Sequence, residues 1–299
     1  MLNVKLFFPN SYENNIKKIR NIKNKKIASI IILYKESDND RNINFFFTLN
    51  WINKYFKNIF EVIVIEQDIQ QKLKLNNNYN FVNYHFLYNN QKFNRGWGFN
   101  CAIKHYCNTD IIALIDSDLL LQQSFFDSIM LIYKKKYEII SPYNSIYYTS
   151  KNQKNSILSN IYSTNIKKEN QKFVKNIPSI SISGGILIIR KSTYLELGGF
   201  EEYKDYGCED NAFDINILKL KNKKLYIHKE QTIHLYHNKN ITNNQILDHF
   251  NKYYINNFIT TDTLLYMNNH RRTYIGNIDL YKNENNYINS IPPYDLEYI

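Results

Sequence analysis

The apolar run Ile111–Ile115, closed by Asp116-Ser117-Asp118, constrains this chain more than any other segment. Five apolar residues between polar ones read as a short, fully buried strand, and Leu119–Leu121 resumes the apolar pattern beyond the acids. Two carboxylates one residue apart at the carboxyl end of a buried strand are costly to leave without partners. In an open α/β sheet that edge is also where ligands bind. A divalent cation carrying a diphosphate would satisfy both conditions. A solvated turn accounts for an isolated Asp-x-Asp, but not for the features that follow it in this chain.

Upstream, Ile27 to Leu33 is a continuous β-branched run and predicts a first buried strand. Arg41 to Phe56 carries apolar and aromatic positions at helical spacing, and Glu61 to Ile65 predicts a second strand ending at Glu66-Gln67-Asp68. A polar stretch leads to a predicted helix from Arg95 to about Cys107, then to the strand entering Asp116. Strand, helix, strand, helix, strand is the pattern of a mostly parallel sheet built from βαβ units, an α/β fold with flanking helices. Phe125 to Lys136 reads as a helix, Lys151 to Lys175 as a polar loop or lid, and Ile180 to Arg190 as an apolar strand interrupted by Gly184-Gly185. Cys208 to Lys219 suggests a helix, with short strands near Leu225–Ile227 and Thr232–Tyr236. The resulting division is a basic lead-in over 1–26, a main domain over 27–240 and a C-terminal extension over 241–299, partly helical around Ile246–Phe258.

Composition removes several classes. With 299 residues, 43% hydrophobic and 15% aromatic, the chain is globular rather than disordered. A net charge of +11 suits nucleic acid, an anionic surface or a phosphorylated ligand. The lysines are scattered, and no zinc-finger spacing, RNA-recognition signature or long basic helix accompanies them, so no nucleic-acid partner is expected. Three cysteines (Cys101, Cys107, Cys208) make no disulfide framework, which fits a reducing compartment. No apolar stretch approaches transmembrane length and no signal-peptide core is seen, so the expectation is a cytoplasmic protein.

Four segments then line up: Phe93-Asn94-Arg95 with Asn100; Asp116-Ser117-Asp118; Gly184-Gly185 through Gly198-Gly199-Phe200 to Glu209-Asp210; and His234-Leu235-Tyr236-His237. In this order they resemble the GT-A glycosyltransferases, most closely the metal-dependent inverting β-1,4-galactosyltransferase and chondroitin-polymerase type. The resemblance spans roughly residues 27–240.

Carried over residue by residue, the resemblance implies that Asp118, His237 and His234 ligate Mn²⁺ (or Mg²⁺), while Asp116 lies by the ribose and the metal. Arg41, Phe93 and Arg95 would contact the nucleotide of a UDP-sugar, and Gly185 would allow close substrate approach. Asp210 matches the catalytic base, and Glu209 would hold an acceptor or donor-sugar hydroxyl. Trp97 fits either the core or a ligand contact. Such a site moves a hexose or N-acetylhexosamine to a hydroxyl on a glycan, lipid-linked or protein acceptor. The metal would stabilise the departing diphosphate, and a carboxylate on the opposite face would take the acceptor's proton, with inversion. Oxygen plus imidazole ligands favour Mn²⁺.

The chain departs from the family in three places, one being a segment between Gly199 and Glu209 about one residue shorter than the family's. It reads Tyr206-Gly207-Cys208-Glu209-Asp210 where the family has an aromatic-Gly-Gly-Glu-Asp run with Trp, and Tyr34-Lys35-Glu36-Ser37 lacks the usual proline-arginine run. The alternatives are another nucleotide sugar, a retaining outcome, or an inactive copy of the fold serving as a basic binding protein. The sequence leaves acceptor recognition, homodimerisation and peripheral membrane contact open as roles for the C-terminal extension.

Overall fold

The computed structural model describes residues 26–56, 59–159, 182–202, 209–219, 224–238 and 274–282. A seven-stranded sheet organises them, in the order β3-β2-β1-β4-β7-β5-β8. Its strands are β1 (Ala28–Tyr34), β2 (Phe60–Asp68), β3 (Val82–Tyr88), β4 (Ile111–Ile115), β5 (Ile139–Ser141), β7 (Ile186–Arg190) and β8 (Leu225–Ile227). Strands β1 to β4 pair in parallel, β7 runs antiparallel to both β4 and β5, and β5 pairs with β8 in parallel. A separate parallel pair joins β6 (Ser145–Tyr148) to β9 (Gln231–His234).

The period-2 alternation of the central strands divides the core between the two faces of the sheet. Ile30 and Ile32 of β1, Ala113 and Ile115 of β4, and Ile186 and Ile188 of β7 bury into one cluster with Phe45, Trp51 and Ile52 of helix α1 (Asn39–Tyr55) and Phe125 and Ile129 of α3 (Gln123–Tyr133). Ile31, Leu33, Ile112, Leu114, Leu187 and Ile189 bury on the opposite face, against Trp97 and Phe99 of α2 (Arg95–Cys101) and Phe213 and Ile217 of α6 (Glu209–Lys219). Each fully buried aliphatic side chain contributes about 1.5–3 kcal/mol. The sheet is therefore a densely packed platform for the residues at its edge.

Local structure differs from the sequence reading in four places. Strand β3 lies in the stretch read as merely polar, because its side chains are half-exposed at the sheet edge and lack an apolar run. The predicted helix from Arg95 is seven residues of α-helix followed by a π turn over Ala102–Tyr106. Lys151–Ser159 is a helix, α4, rather than part of a loop; its buried Lys154 donates to the Asp40 carboxylate at 2.7 Å. The apolar run before Arg190 becomes a strand only at Ile186 and is followed by a short helix, α5 (Lys191–Glu196). Residues 274–282 pack against α2 and its π turn. The basic lead-in up to 25, residues 160–175 of the expected lid, Cys208 and the helix expected over 246–258 lie outside the described residues. Cys101 and Cys107 are buried free thiols.

Candidate active site

The site forms where β4 ends and β7 begins. Because β7 is antiparallel to β4, with Ile115 opposite Ile186, Gly184-Gly185 sits at the edge where Asp116 leaves its strand. The Asp116 N–H donates to the Gly185 carbonyl at 2.9 Å, and a tight turn follows, closed by the Leu119 N–H on the Asp116 carbonyl at 3.3 Å. Thr48 of α1 holds the middle of that turn by donating to the Ser117 carbonyl at 2.7 Å. The turn sends the two carboxylates to different partners.

Asp118 faces the histidines. Its own carbonyl accepts from the Leu235 N–H at 2.8 Å, the Leu120 N–H donates to the Ile233 carbonyl at 3.0 Å, and Leu119 bridges to His234. This pairing lays the segment after β9 beside the turn. Asp118 Oδ2 is 3.0 Å from His237 Nε2 and 3.6 Å from His234 Nε2. One ligand atom from each of the three residues lies within 4.8 Å of the others. The His237 Nδ1 is 2.7 Å from the Asn238 carbonyl, which can only accept, so Nδ1 carries a proton; the protonated ring also donates from Nε2 to Asp118, and its neutral form frees the Nε2 lone pair for an ion. Burial opposes charge on Asp118, but His234 and His237 outweigh it and hold the carboxyl below its usual range. Burial likewise opposes charge on His237, but its bond to Asp118 raises it overall. One carboxylate oxygen and two imidazole nitrogens, clustered and half-buried, fit a Mn²⁺-like ion.

Asp116 faces Arg95, whose Nε donates to Asp116 Oδ1 at 3.0 Å and whose Nη1 lies 3.2 Å from Glu209 Oε1. Arg95 is stacked over Phe99 and Phe200, with its guanidinium carbon 4.9 and 5.3 Å from the ring centres. Burial raises the Asp116 carboxyl, opposed by Arg95 and reinforced by Asp118 and Asp210. Burial and the neighbouring Asp210 push Glu209 up to about 7 against the pull of Arg95. Glu209 and Asp210 open α6, where acids oppose the positive end of the helix dipole. Glu209 is buried and engaged by Arg95, whereas Asp210 is only half-buried.

Arg41 lies on the first turn of α1. Its N–H caps onto Asp38, and its Nη2 donates to the Asn238 carbonyl at 3.3 Å, so it ties that helix to the residue after His237. Phe93 packs half-exposed against the second core cluster, directly before the N-cap of α2. Gly185 has φ +78°, and a Cβ there would meet the Tyr143 hydroxyl at 2.3 Å and Leu119 at 2.6 Å. The absence of a side chain thus has an internal reason: the loop that supplies the carbonyl for Asp116 closes over Tyr143. Trp97 is fully buried in the core.

Sequence reasoning missed three supports. Gln67, buried at the end of β2, donates to the Asn94 carbonyl at 2.9 Å and accepts its N–H at 3.1 Å, pinning the residue before Arg95. Tyr143 donates to the Gly184 carbonyl at 2.8 Å. Asp214, one turn after Asp210 on α6, accepts the N–H groups of Ile182 and Ser183 at 2.5 and 2.9 Å. The polar triplet Glu66-Gln67-Asp68 at a strand's carboxyl end was the one signal that could have marked Gln67.

No protein-family model matches the sequence and no curated protein matches it. Among solved structures the chain is similar to residues 1–349 of S. aureus TarS in complex with UDP-GlcNAc, with a TM-score of 0.52 and 14% identity over 91% of this chain and 78% of that one. It spans 37% of a longer TarS chain. It is also similar to the mannosyltransferase PcManGT from Pyrobaculum calidifontis in complex with GDP-Man and Mn²⁺ (TM-score 0.49, 12% identity, 90% of this chain and 73% of that one). A third likeness is to the catalytic domain of Drosophila β1,4-galactosyltransferase 7 in complex with xylobiose (TM-score 0.43, 14% identity, 74% of this chain and 79% of that one). The chain has the GT-A fold.

Proposed function

We propose that this chain is a metal-dependent glycosyltransferase that moves a hexose or N-acetylhexosamine from a UDP-sugar to a hydroxyl acceptor, with inversion. The observation that carries this reading is the division of Asp116-Ser117-Asp118 between two sets of partners: Asp118 toward His234 and His237, Asp116 toward Arg95 and through it Glu209. A solvated turn would not bury one arginine between two carboxylates and set two imidazoles against a third.

Asp118, His234 and His237 would hold the ion, and a bound Mn²⁺ or Mg²⁺ would supply charge stabilisation to the departing diphosphate. The chain's own groups do the rest. Arg95 keeps Asp116 and Glu209 oriented, so that Asp116 can face the ribose and Glu209 can accept from a sugar hydroxyl. Asp210, beside Glu209 and less buried, would take the acceptor proton as the acceptor oxygen attacks the anomeric carbon. Arg41 adds positive charge on the side of His237. The likeness to TarS bound to UDP-GlcNAc supports a UDP-sugar donor. No helix among the described residues is long and apolar enough to cross a membrane. Acceptor recognition, pairing with a second copy of the chain and contact with a membrane surface are alternative roles for the C-terminal residues.

The test is UDP release from UDP-Gal, UDP-Glc, UDP-GlcNAc and UDP-GalNAc, each with Mn²⁺ and with EDTA, beside Asp118→Ala. Release that needs Mn²⁺ and disappears in the variant supports the reading and names the donor. Absence of release and of binding with all four, with and without metal, overturns it in favour of another nucleotide or a binding protein.

A further inference from the structure

Arg95 is the first residue of a helix that cannot hold itself in place. Helix α2 is seven residues long, contains Gly96 and Gly98, and gives way at once to a π turn. Helices this short and this glycine-rich are unstable without tertiary support. Phe99, Cys101, Ala102 and Ile103 anchor it to the core.

The other side is covered by a segment from far along the chain, residues 274–282. Tyr281 accepts from Asn94 Nδ2 at 2.7 Å, and Asn94 is the N-cap whose Oδ1 accepts the Trp97 N–H at 2.9 Å. The Trp97 indole N–H donates to the Asn277 carbonyl at 2.7 Å, and the Trp97 and Tyr281 rings meet edge to face with centres 4.8 Å apart. Lys104 donates to the Ile275 carbonyl at 2.9 Å, and His105 Nε2 lies 2.7 Å from the Gly276 carbonyl. Residues 94, 97, 104 and 105 recur at helical spacing, so one segment grips one face along its whole length. The grip is close enough to exclude a side chain at Gly276: its φ is +65°, and a Cβ there would sit 2.8 Å from the Asn100 carbonyl oxygen. Glu202 closes the arrangement, accepting from both Asn100 and the Gly276 N–H.

We propose that residues 274–282 are a positioning strap for Arg95, with the Tyr281 hydroxyl as its anchor on Asn94. The proposal rests on the transferase reading for its consequence in turnover, but not for its structural content. Asn94 is held from the sheet by Gln67 and from the C-terminal side by Tyr281; with the second hold gone, the start of α2 and the guanidinium beside it lose their fixed place between Asp116 and Glu209. The C-terminal residues then belong to the machinery of the site although none of those described touches it.

A double-mutant cycle on the full chain tests this, with wild type, Tyr281→Phe, Arg95→Lys and the pair, reading UDP-sugar turnover, Mn²⁺ affinity and the nitrogen-15 resonance and hydrogen exchange of the Arg95 Nε–H, assigned by its disappearance in Arg95→Lys. The account expects Tyr281→Phe to lower kcat/KM about five- to tenfold, to speed Arg95 Nε–H exchange by a similar factor and to leave Mn²⁺ affinity unchanged. On the Arg95→Lys background the same substitution should change kcat/KM less than twofold, because coupled residues do not add. Equal effects in both backgrounds, or an unchanged Arg95 Nε–H in Tyr281→Phe, overturn the strap. A wild type without turnover whose Arg95 Nε–H still responds to Tyr281→Phe overturns the transferase reading and leaves the strap standing.

Discussion

Arg95 and Glu209 meet at 3.2 Å with both side chains only 6% exposed, although 114 residues separate them in sequence. The same guanidinium reaches Asp116, so a single cation opposes, without cancelling, the upward push of burial on two carboxylates. Arg95→Ala leaves Glu209 buried without its cation, while Asp116 is about one-third exposed and can turn to solvent, so stability should fall by about 3 kcal/mol, read by denaturant unfolding. Arg95→Lys keeps the charge but not the planar fork; it should fold yet lose at least about tenfold in turnover. Wild-type stability in Arg95→Ala would contradict the shared role.

Glu209 offers a pH test of the site. Burial and Asp210 push its carboxyl up to about 7, so it takes up a proton as pH falls through neutrality and loses its charge pairing with Arg95. At saturating Mn²⁺, kcat/KM should fall on the acid side of about pH 7, and Glu209→Gln, less active at its optimum, should show that limb displaced to lower pH. An acid limb unchanged in Glu209→Gln would assign it to another group.

Glu202 gives a separate prediction on stability. Burial pushes its carboxyl up to about 7, above the ordinary 4.5, so between these values the folded chain binds more proton than the unfolded chain. Its contribution is complete at low pH and is lost as pH rises through about 7. Glu202→Gln retains an oxygen for both Asn100 and Gly276 and removes the titration. The difference in unfolding free energy between wild type and variant should therefore shift by on the order of 1–3 kcal/mol against wild type from about pH 4.5 to pH 7.5. A pH-independent difference would show that folding leaves the Glu202 carboxyl at its ordinary value.

Gly185 tests the loop that fixes Asp116. A Cβ there meets the Tyr143 hydroxyl and Leu119, and φ +78° strains any side-chain residue. Gly185→Ala should displace the carbonyl that holds the Asp116 N–H and reduce turnover more than tenfold. Adding Tyr143→Phe relieves the hydroxyl clash but leaves the Leu119 clash and the backbone strain and removes the hydroxyl's bond to the Gly184 carbonyl, so activity should stay low. Full activity in Gly185→Ala would show that the loop does not set Asp116.

These predictions show which parts of the molecule the sequence made legible. Runs such as Ile111–Ile115 report themselves, since a strand buried on both faces must be apolar throughout. Edge strand β3 does not, because half-exposed positions tolerate Asn83, Tyr84 and His85. At the site, the resemblance already set Asp118 with His234 and His237 and Asp116 apart from them, but the pairing of Asp116 and Glu209 with Arg95 was not visible. That Asp116 turns to Arg95 while Asp118 turns to His237 follows from a turn held by Thr48, Gly185 and Leu235, whose contributions are largely backbone hydrogen bonds with no residue signature. Tyr281 was invisible for a related reason: one tyrosine among 26 carries no mark of the partner it will meet 187 residues away.

Calorimetric titration of UDP into the full chain tests the central claim most directly, with Mn²⁺, with EDTA, and with Asp118→Ala and His237→Ala under both conditions. The account predicts that wild type binds UDP with Mn²⁺ at least about tenfold more tightly than with EDTA, and that each variant loses this metal-dependent gain. UDP binding of equal strength with EDTA, or a full Mn²⁺ effect in Asp118→Ala, would contradict it.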